Sequence, residues 1–148
     1  MRKRIFTAVL IAAVAAAGGV TLLQGPVAAQ ANLALAAPSG QTLAADDSLL
    51  LVDIRTPEEW QQTGVIDGAL LVTYADADSF LQTVTPHLQP GQSLALICRS
   101  GNRTSRAARQ IAAMTDVQVV DIAGGMLRVL GEGYQPIAPT AAQGCTIC

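Results

Sequence analysis

The stretch Leu94–Arg109, LALICRSGNRTSRAAR, determines how the rest of the chain is interpreted. It begins with the apolar run Leu94–Ile97, continues with the single cysteine Cys98 and a polar loop, and becomes helix-forming from Thr104 onward. This order predicts a strand, a tight loop and a helix, with the thiol at the carboxyl end of the strand. The unpaired N–H groups and positive dipole end of the helix favour a thiolate over a thiol. Cys98 is therefore predicted to be an activated nucleophile.

The charge distribution indicates which kind of ligand binds near the thiol. Only arginines supply positive charge after residue 31, six of them against eleven acids, and this acidic balance argues against nucleic acid as a partner. Four of the six arginines lie in or just after the cysteine loop. A solvated helix face accounts for Arg106 and Arg109, but it accounts less well for Arg99 and Arg103. Positive charge gathered around one thiol predicts that a small anion binds there.

The first 31 residues are predicted to be an export signal. The basic start Arg2–Arg4 precedes an uncharged apolar run, Ile5–Leu23, and Ala29–Ala31 has the small-x-small pattern of a cleavage site. We expect cleavage after Ala31 and a periplasmic destination. The alternative is an uncleaved anchor that holds the protein on the membrane facing the periplasm, because the apolar run approaches the length that spans a bilayer.

The remaining chain predicts one α/β domain. We interpret residues 32–45 as a tether whose end could form a short edge strand or helix, residues 46–137 as the domain, and residues 138–148 as a tail. Apolar runs alternate with helical patterns, which is typical of a mainly parallel sheet flanked by helices on both faces. Ligands of such sheets bind beyond the carboxyl ends of the strands. The predicted strands lie at Ser48–Arg55, Ala69–Thr73, Leu94–Ile97 and Val117–Ile122.

Four motifs now resemble those of the single-domain rhodanese-like sulfurtransferases. They run in the family's order and spacing over about residues 49–136. The resemblance implies a five-stranded parallel sheet and no cofactor. It also implies that Cys98 takes a sulfane sulfur as a persulfide from a small anionic donor such as thiosulfate and passes it to a thiol or cyanide-like acceptor. The motifs are VDIRTPEEW at 52–60, GVIDGA at 64–69, CRSGNR at 98–103 and GGM at 124–126.

The same resemblance assigns roles around the persulfide. A loop that curls around Cys98 with its N–H groups inward would stabilise the anion, and Gly101 permits the curl because glycine tolerates positive φ. Arg103 would meet the anionic donor. Arg55 would either line the site or pair with acids, and Asp53 would be a structural partner that orients the loop or its arginine. The predicted substrate-binding residues are Arg99, Ser100, Gly101, Asn102, Arg103 and Arg55.

Two other functions are compatible with a reactive cysteine at this position. Cysteine phosphatases and related arsenate reductases use Cys-x-x-x-x-x-Arg, whereas here Arg103 arrives one position early, which favours sulfur chemistry. A rhodanese-fold module that senses oxidants or binds a partner without turnover is the second alternative. The chain also departs from the family at Val65, often histidine, and at residues 127–129, where tryptophan is common; both positions are expected to affect packing more than activity.

The C-terminal residues Cys145 and Cys148 form a Cys-x-x-Cys motif. They are expected either to form a local disulfide, which leaves Cys98 free, or to act as a redox pair that accepts or resolves sulfur from Cys98. We predict no metal site, because zinc would need further ligands that this region lacks.

Overall fold

The computed structural model describes residues 31–148, so the predicted export signal lies, apart from Ala31, outside the described residues. Its central sheet has the strand order β1-β5-β4-β2-β3, and every neighbouring pair is parallel. This confirms the predicted five-stranded parallel sheet. Within residues 31–148, no helix is long and apolar enough to cross a bilayer. The strands are β1 (Leu33–Ala36), β2 (Leu49–Asp53), β3 (Leu70–Leu71), β4 (Ser93–Ile97) and β5 (Val119–Ile122).

Five helices cover both faces of the sheet, as predicted. Successive strand residues point to opposite faces, so each strand contributes to two apolar layers. One layer contains Trp60 and Met126, and the other contains Phe80 and Ile111. Helices α1, α2 and α5 therefore pack on one face, and α3 and α4 pack on the other. Their bounds are α1 (Gly40–Ala45), α2 (Pro57–Thr63), α3 (Ala77–Val84), α4 (Asn102–Ala112) and α5 (Gly125–Gly131).

Local sequence explains where the helices near the site begin and end. A capping box starts α2, because the Thr56 side chain accepts from the Glu59 N–H and the Glu59 carboxylate accepts from the Thr56 N–H. Helix α3 ends at Val84, and the chain continues only as a 3-10 turn, Thr85–His87. Pro86 explains this end, since it offers no N–H to the helix.

The tether expected at residues 32–45 requires correction. This segment contains both β1, which pairs with β5 along its length, and α1. The Asn32 side-chain amide donates to the carbonyl oxygens of Ala112, Thr115 and Val117, at and just beyond the end of α4. Asn32 is thus already part of the fold. Propensity in LALA is weak, and the strand forms because β5, distant in sequence, supplies its partner.

The tail expected at residues 138–148 is also partly integrated into the fold. Cys145 is 1% exposed and belongs to the apolar layer under α2. Gly144 sits so close to the Leu71 carbonyl oxygen that a Cβ atom there would approach it to 2.6 Å. The chain therefore returns along β3, the border strand of the sheet, and Cys145 is the buried residue of a tail that is otherwise exposed or half-buried.

Candidate active site

Cys98 follows the last residue of β4, at the carboxyl edge of the sheet, and faces the start of α4. Its Sγ atom accepts a hydrogen bond from the Gly101 N–H at 3.2 Å and donates to Thr104 Oγ1 at 3.7 Å. The Thr104 hydroxyl in turn donates to the Gly101 carbonyl oxygen at 2.9 Å. The Cys98 residue is only 1% exposed. The sulfur is thus buried, with a backbone amide directed at it.

The conformation of the loop depends on glycine. Gly101 has φ +92° and precedes the first residue of α4, which turns the chain around the sulfur. The next amides, those of Asn102, Arg103 and Thr104, occupy the first turn of α4 and have no acceptor within the helix. They leave N–H groups available close to the sulfur. An anion that extends beyond Sγ would therefore meet the positive end of a helix of eleven residues.

The first turn of α5 holds the loop from the other side. The N–H groups of Met126 and Leu127 donate to the carbonyl oxygens of Cys98 and Arg99 at 2.8 and 2.9 Å. Gly125 makes this approach possible, because its φ is +57° and a Cβ atom there would collide with the Cys98 carbonyl oxygen. The Gly-Gly-Met motif thus fixes the backbone of the cysteine loop without touching the sulfur.

Arg103 pairs with Glu59 across the mouth of the loop. Its Nη1 atom lies 2.9 Å from Glu59 Oε2 and also donates to the Ile54 carbonyl oxygen at 3.3 Å. The hydrogen bonds to Glu59 raise the pKa of Arg103, and electrostatic attraction to Glu59 and Cys98 adds to this increase. Burial alone would raise the pKa of Glu59, but the hydrogen bonds from Arg103 and the Thr56 N–H outweigh it and hold that pKa below its usual range.

We expect Glu59→Gln to lower stability at neutral pH by about 0.5 kcal/mol, the usual size of a partly exposed ion pair. Because the pKa of Glu59 is lower in the folded than in the unfolded chain, its contribution is complete above the unfolded value of about 4.3 and is lost as pH falls through the lower folded value. Urea unfolding at a series of pH values should show the wild type and the variant converging below about pH 4. Glu58→Gln, an exposed neighbour on the same helix, serves as the control; if it behaves identically, the pair with Arg103 is not the cause.

Of the two roles expected for Arg55, lining the site or pairing with an acid, the structure shows the pairing. Arg55 is 1% exposed, and all five of its guanidinium N–H groups have protein acceptors. Its Nε and Nη2 atoms lie 2.9 and 2.7 Å from the carboxylate of Asp53, which is completely buried. Nη1 donates to Thr63 and to the Glu59 carbonyl oxygen. Asp53 is a structural partner, and the residue that it orients is Arg55, which ties β2 to α2.

The other predicted residues of the cysteine loop differ in their exposure to solvent. Gly101 is buried, whereas Arg99, Ser100 and Asn102 are exposed. Within residues 31–148 the Arg99 side chain has no hydrogen bond or ion pair, so its guanidinium is available to a ligand. Arg99 also borders a cleft between α2 and α5, where Leu127 lies 53% exposed.

Sequence reasoning misses two side chains that organise the site, Glu59 and Thr104. In the sequence Glu59 stands out only as an acid in the first turn of a helix, although its capping-box position fixes it beside the cysteine loop. Thr104 carries no signal beyond being the residue after Arg103.

Cys145 and Cys148 form a disulfide, and Cys98 is a free thiol. In the part of the chain that the structure describes, no group of three or more metal-binding side chains is close enough to hold an ion.

Comparison with known proteins shows which family has this sequence and fold. Residues 38–132 match the family model of the Rhodanese-like domain. An alignment over 101 residues shows 31% identity to the protein named thiosulfate sulfurtransferase 16, chloroplastic, of Arabidopsis thaliana, and it covers 60% of this chain and 83% of that protein.

Solved structures share the fold at low sequence identity. A rhodanese-related protein of Thermoplasma volcanium is 22% identical, with a TM-score of 0.54 over 70% of this chain and 98% of its own. A Rhodopseudomonas palustris protein described as of unknown function and a possible tyrosine phosphatase is 21% identical, with a TM-score of 0.53 over 69% of this chain and 84% of its own. The family model covers well over half of the sequence, and the fold and the motif order agree with it: the chain belongs to the rhodanese-like domain family.

Proposed function

We propose that this protein is a sulfurtransferase in which Cys98 carries a sulfane sulfur as a persulfide. One observation supports this most: the Cys98 sulfur lies at the amino terminus of α4 and accepts the Gly101 N–H at 3.2 Å. An amide directed at the sulfur, together with the helix dipole, stabilises a negative charge on that atom. The thiolate is the nucleophilic form, and the persulfide that it produces is also an anion.

The proposed reaction has two displacement steps. The Cys98 thiolate attacks the outer sulfur of the donor, the sulfur–sulfur bond of the donor breaks, and the remaining anion, sulfite if the donor is thiosulfate, leaves with the electron pair. The acceptor then attacks the terminal sulfur of the persulfide, and the Cys98 thiolate is released again. The unpaired amides in the first turn of α4 would stabilise the terminal sulfur between the two steps.

Thiosulfate is the donor that we propose. The Arg99 guanidinium is exposed beside the loop and can attract a small anion. Arg103 is less suited to the role assigned from the sequence, since Glu59 already occupies two of its nitrogens. The Arabidopsis relative, named a thiosulfate sulfurtransferase, agrees with this choice of donor.

We also propose that the protein works outside the cytoplasm. The export signal and the cleavage site after Ala31 that the sequence predicts are the basis for this proposal. Cleavage there would make Asn32 the first residue and would keep its hydrogen bonds to the end of α4. The Cys145–Cys148 disulfide also suits an oxidising compartment.

Mass spectrometry after thiosulfate treatment tests the proposed function. We expect the purified domain to gain one sulfur atom, located by peptide mapping on Cys98, and to lose it when cyanide is added. A Cys145→Ser, Cys148→Ser double variant should gain the same sulfur, which shows that the tail is not the carrier. A protein that gains no sulfur, or that yields only sulfenic acid or disulfides at Cys98, would instead be a redox or binding module.

The phosphatase alternative is supported only by the likeness to the Rhodopseudomonas palustris protein, which at 21% identity shows the fold alone. The loop of this chain reaches its arginine after four intervening residues, and that arginine is engaged with Glu59. We therefore expect an aryl phosphate to be left intact by the same preparation that takes up sulfur.

A further inference from the structure

The C-terminal disulfide joins two cysteines that differ in accessibility. Cys145 is 1% exposed and packs in the apolar layer that contains Trp60 and Ile66, whereas Cys148 is exposed. Thiol–disulfide exchange begins when a thiolate attacks one sulfur of the bond, and its rate depends on access to that sulfur. An incoming thiol can therefore reach Cys148, and Cys145 is the sulfur that is released.

The chain on the buried side of the disulfide is anchored independently of the bond. The Cys145 N–H donates to the Thr140 carbonyl oxygen at 3.2 Å, and Gln143 Nε2 donates to that of Ile66 at 3.4 Å. Gly144 packs against the Leu71 carbonyl oxygen. These contacts do not involve either sulfur, so Cys145 is expected to keep its place after reduction. It would remain three residues from Cys148, ready to form the bond again.

A purely structural role for this disulfide is weakly supported. The bond closes a loop of four residues at the end of the chain, and so short a loop removes little conformational entropy from the unfolded state. Within residues 31–148 it also joins no two elements of the fold, since neither Cys145 nor Cys148 lies in a helix or strand. The packing of Cys145 already holds this segment against β3.

The pair is separated from Cys98 by α2. On this helix Glu59 contacts Arg103 of the cysteine loop, while the Gln61 side-chain amide donates to the Ile147 carbonyl oxygen of the tail at 3.2 Å. Residues two apart on a helix point to different sides. Cys98 and Cys145 also belong to the apolar layers on opposite faces of the sheet. The expected transfer of sulfur from Cys98 to the tail therefore has no support in this arrangement.

We propose that Cys145 and Cys148 form a second, independent thiol–disulfide exchange site whose substrate is a dithiol. A thiolate of the dithiol attacks Cys148 Sγ, the disulfide breaks, and Cys145 Sγ leaves with the electron pair and takes up a proton. The second thiolate of the substrate then attacks the substrate sulfur bound to Cys148 and releases the Cys148 thiolate, which also takes up a proton. The dithiol is oxidised to a disulfide, and the protein pair gains two electrons and two protons.

The test uses the full folded chain carrying Cys98→Ser, so that only the tail thiols react. In native buffer, dithiothreitol should reduce the pair and glutathione disulfide should restore it, with an unchanged circular dichroism spectrum. Adding Cys145→Ser should produce a lasting glutathione adduct on Cys148. Adding Cys148→Ser instead should slow adduct formation on Cys145 by about tenfold or more, because a buried thiol reacts slowly.

Two results would overturn the proposal. The first is adduct formation at equal rates on Cys145 and Cys148, which would mean that the structural difference between the two sulfurs does not direct exchange. The second is reduction of the pair only at denaturant concentrations that unfold the domain, which would make the disulfide a structural bond. Neither result bears on sulfur transfer, because Cys98 is absent from every protein in the experiment.

Discussion

Replacing Cys98 with serine is expected to abolish sulfur transfer from thiosulfate to cyanide, with a loss of at least about 10³-fold in kcat/KM. The serine hydroxyl has nearly the size of the thiol and can accept the same Gly101 N–H. Its oxygen, however, is not ionised at neutral pH and cannot hold a persulfide. The loss should therefore appear in the chemistry and leave the fold intact, so the midpoint of urea unfolding should stay close to that of the wild type.

Cys148→Ser is the matched control for that experiment. It also replaces a cysteine with serine, here at an exposed position on the far side of α2 where it opens the Cys145–Cys148 disulfide, and it should leave the turnover of thiosulfate unchanged. Equal rates for the wild type and Cys98→Ser would contradict the proposed function. A fall in rate with Cys148→Ser would contradict the independence of the two cysteine sites.

Replacing Arg55 with alanine is expected to cause the largest loss of stability, about 3–5 kcal/mol in the free energy of unfolding. The substitution leaves the buried Asp53 carboxylate without its partner in a place that water does not reach. It also removes the donors to Thr63 and to the Glu59 and Gly64 carbonyl oxygens. Thermal unfolding should show a decrease in Tm of roughly 10–20 °C for a domain of this size.

Two further variants separate stability from substrate binding. Arg106→Ala removes an exposed arginine of α4 and should change the free energy of unfolding by less than about 0.5 kcal/mol. Arg55→Lys keeps the charge but loses the planar fork, so its stability should fall between those of the wild type and the alanine variant. The folded lysine variant should keep the KM for thiosulfate; a raised KM with unchanged stability would return Arg55 to the substrate site.

The sequence was sufficient to predict four of the five strands, because these buried strands are continuous apolar runs and the helices between them have clear starts. The position of Cys98 followed from the same pattern, since a residue directly after a strand must lie at the carboxyl edge. Gly101 was also predictable from its place in a tight loop. These features depend on neighbours in sequence, where propensity and periodicity are informative.

The partners of the charged residues were not predictable in this way. Whether Arg55 contacts a substrate or an acid depends on the direction of its side chain at the end of β2. Asp53 and Arg55 are two residues apart, so in an extended chain their side chains point to the same side and can pair. Arg103 was expected to bind the anionic donor, because nothing in the sequence indicates that it forms an ion pair with Glu59, 44 residues earlier. The strand at 33–36 was missed for the same reason, as its apolar character is weak and its hydrogen bonds come from β5.

The addition of β1 has a consequence for solubility. The residues that match the family model begin at 38, so β1 lies before them. Without β1, the backbone N–H and C=O groups along Val119–Ile122 would face water and could pair with a strand of another molecule. β1 then forms the border of the sheet itself, but its sequence LALA has a weaker β-propensity than VVDI of β5. We therefore expect a protein trimmed to residues 38–132 to aggregate more readily than the domain that keeps β1.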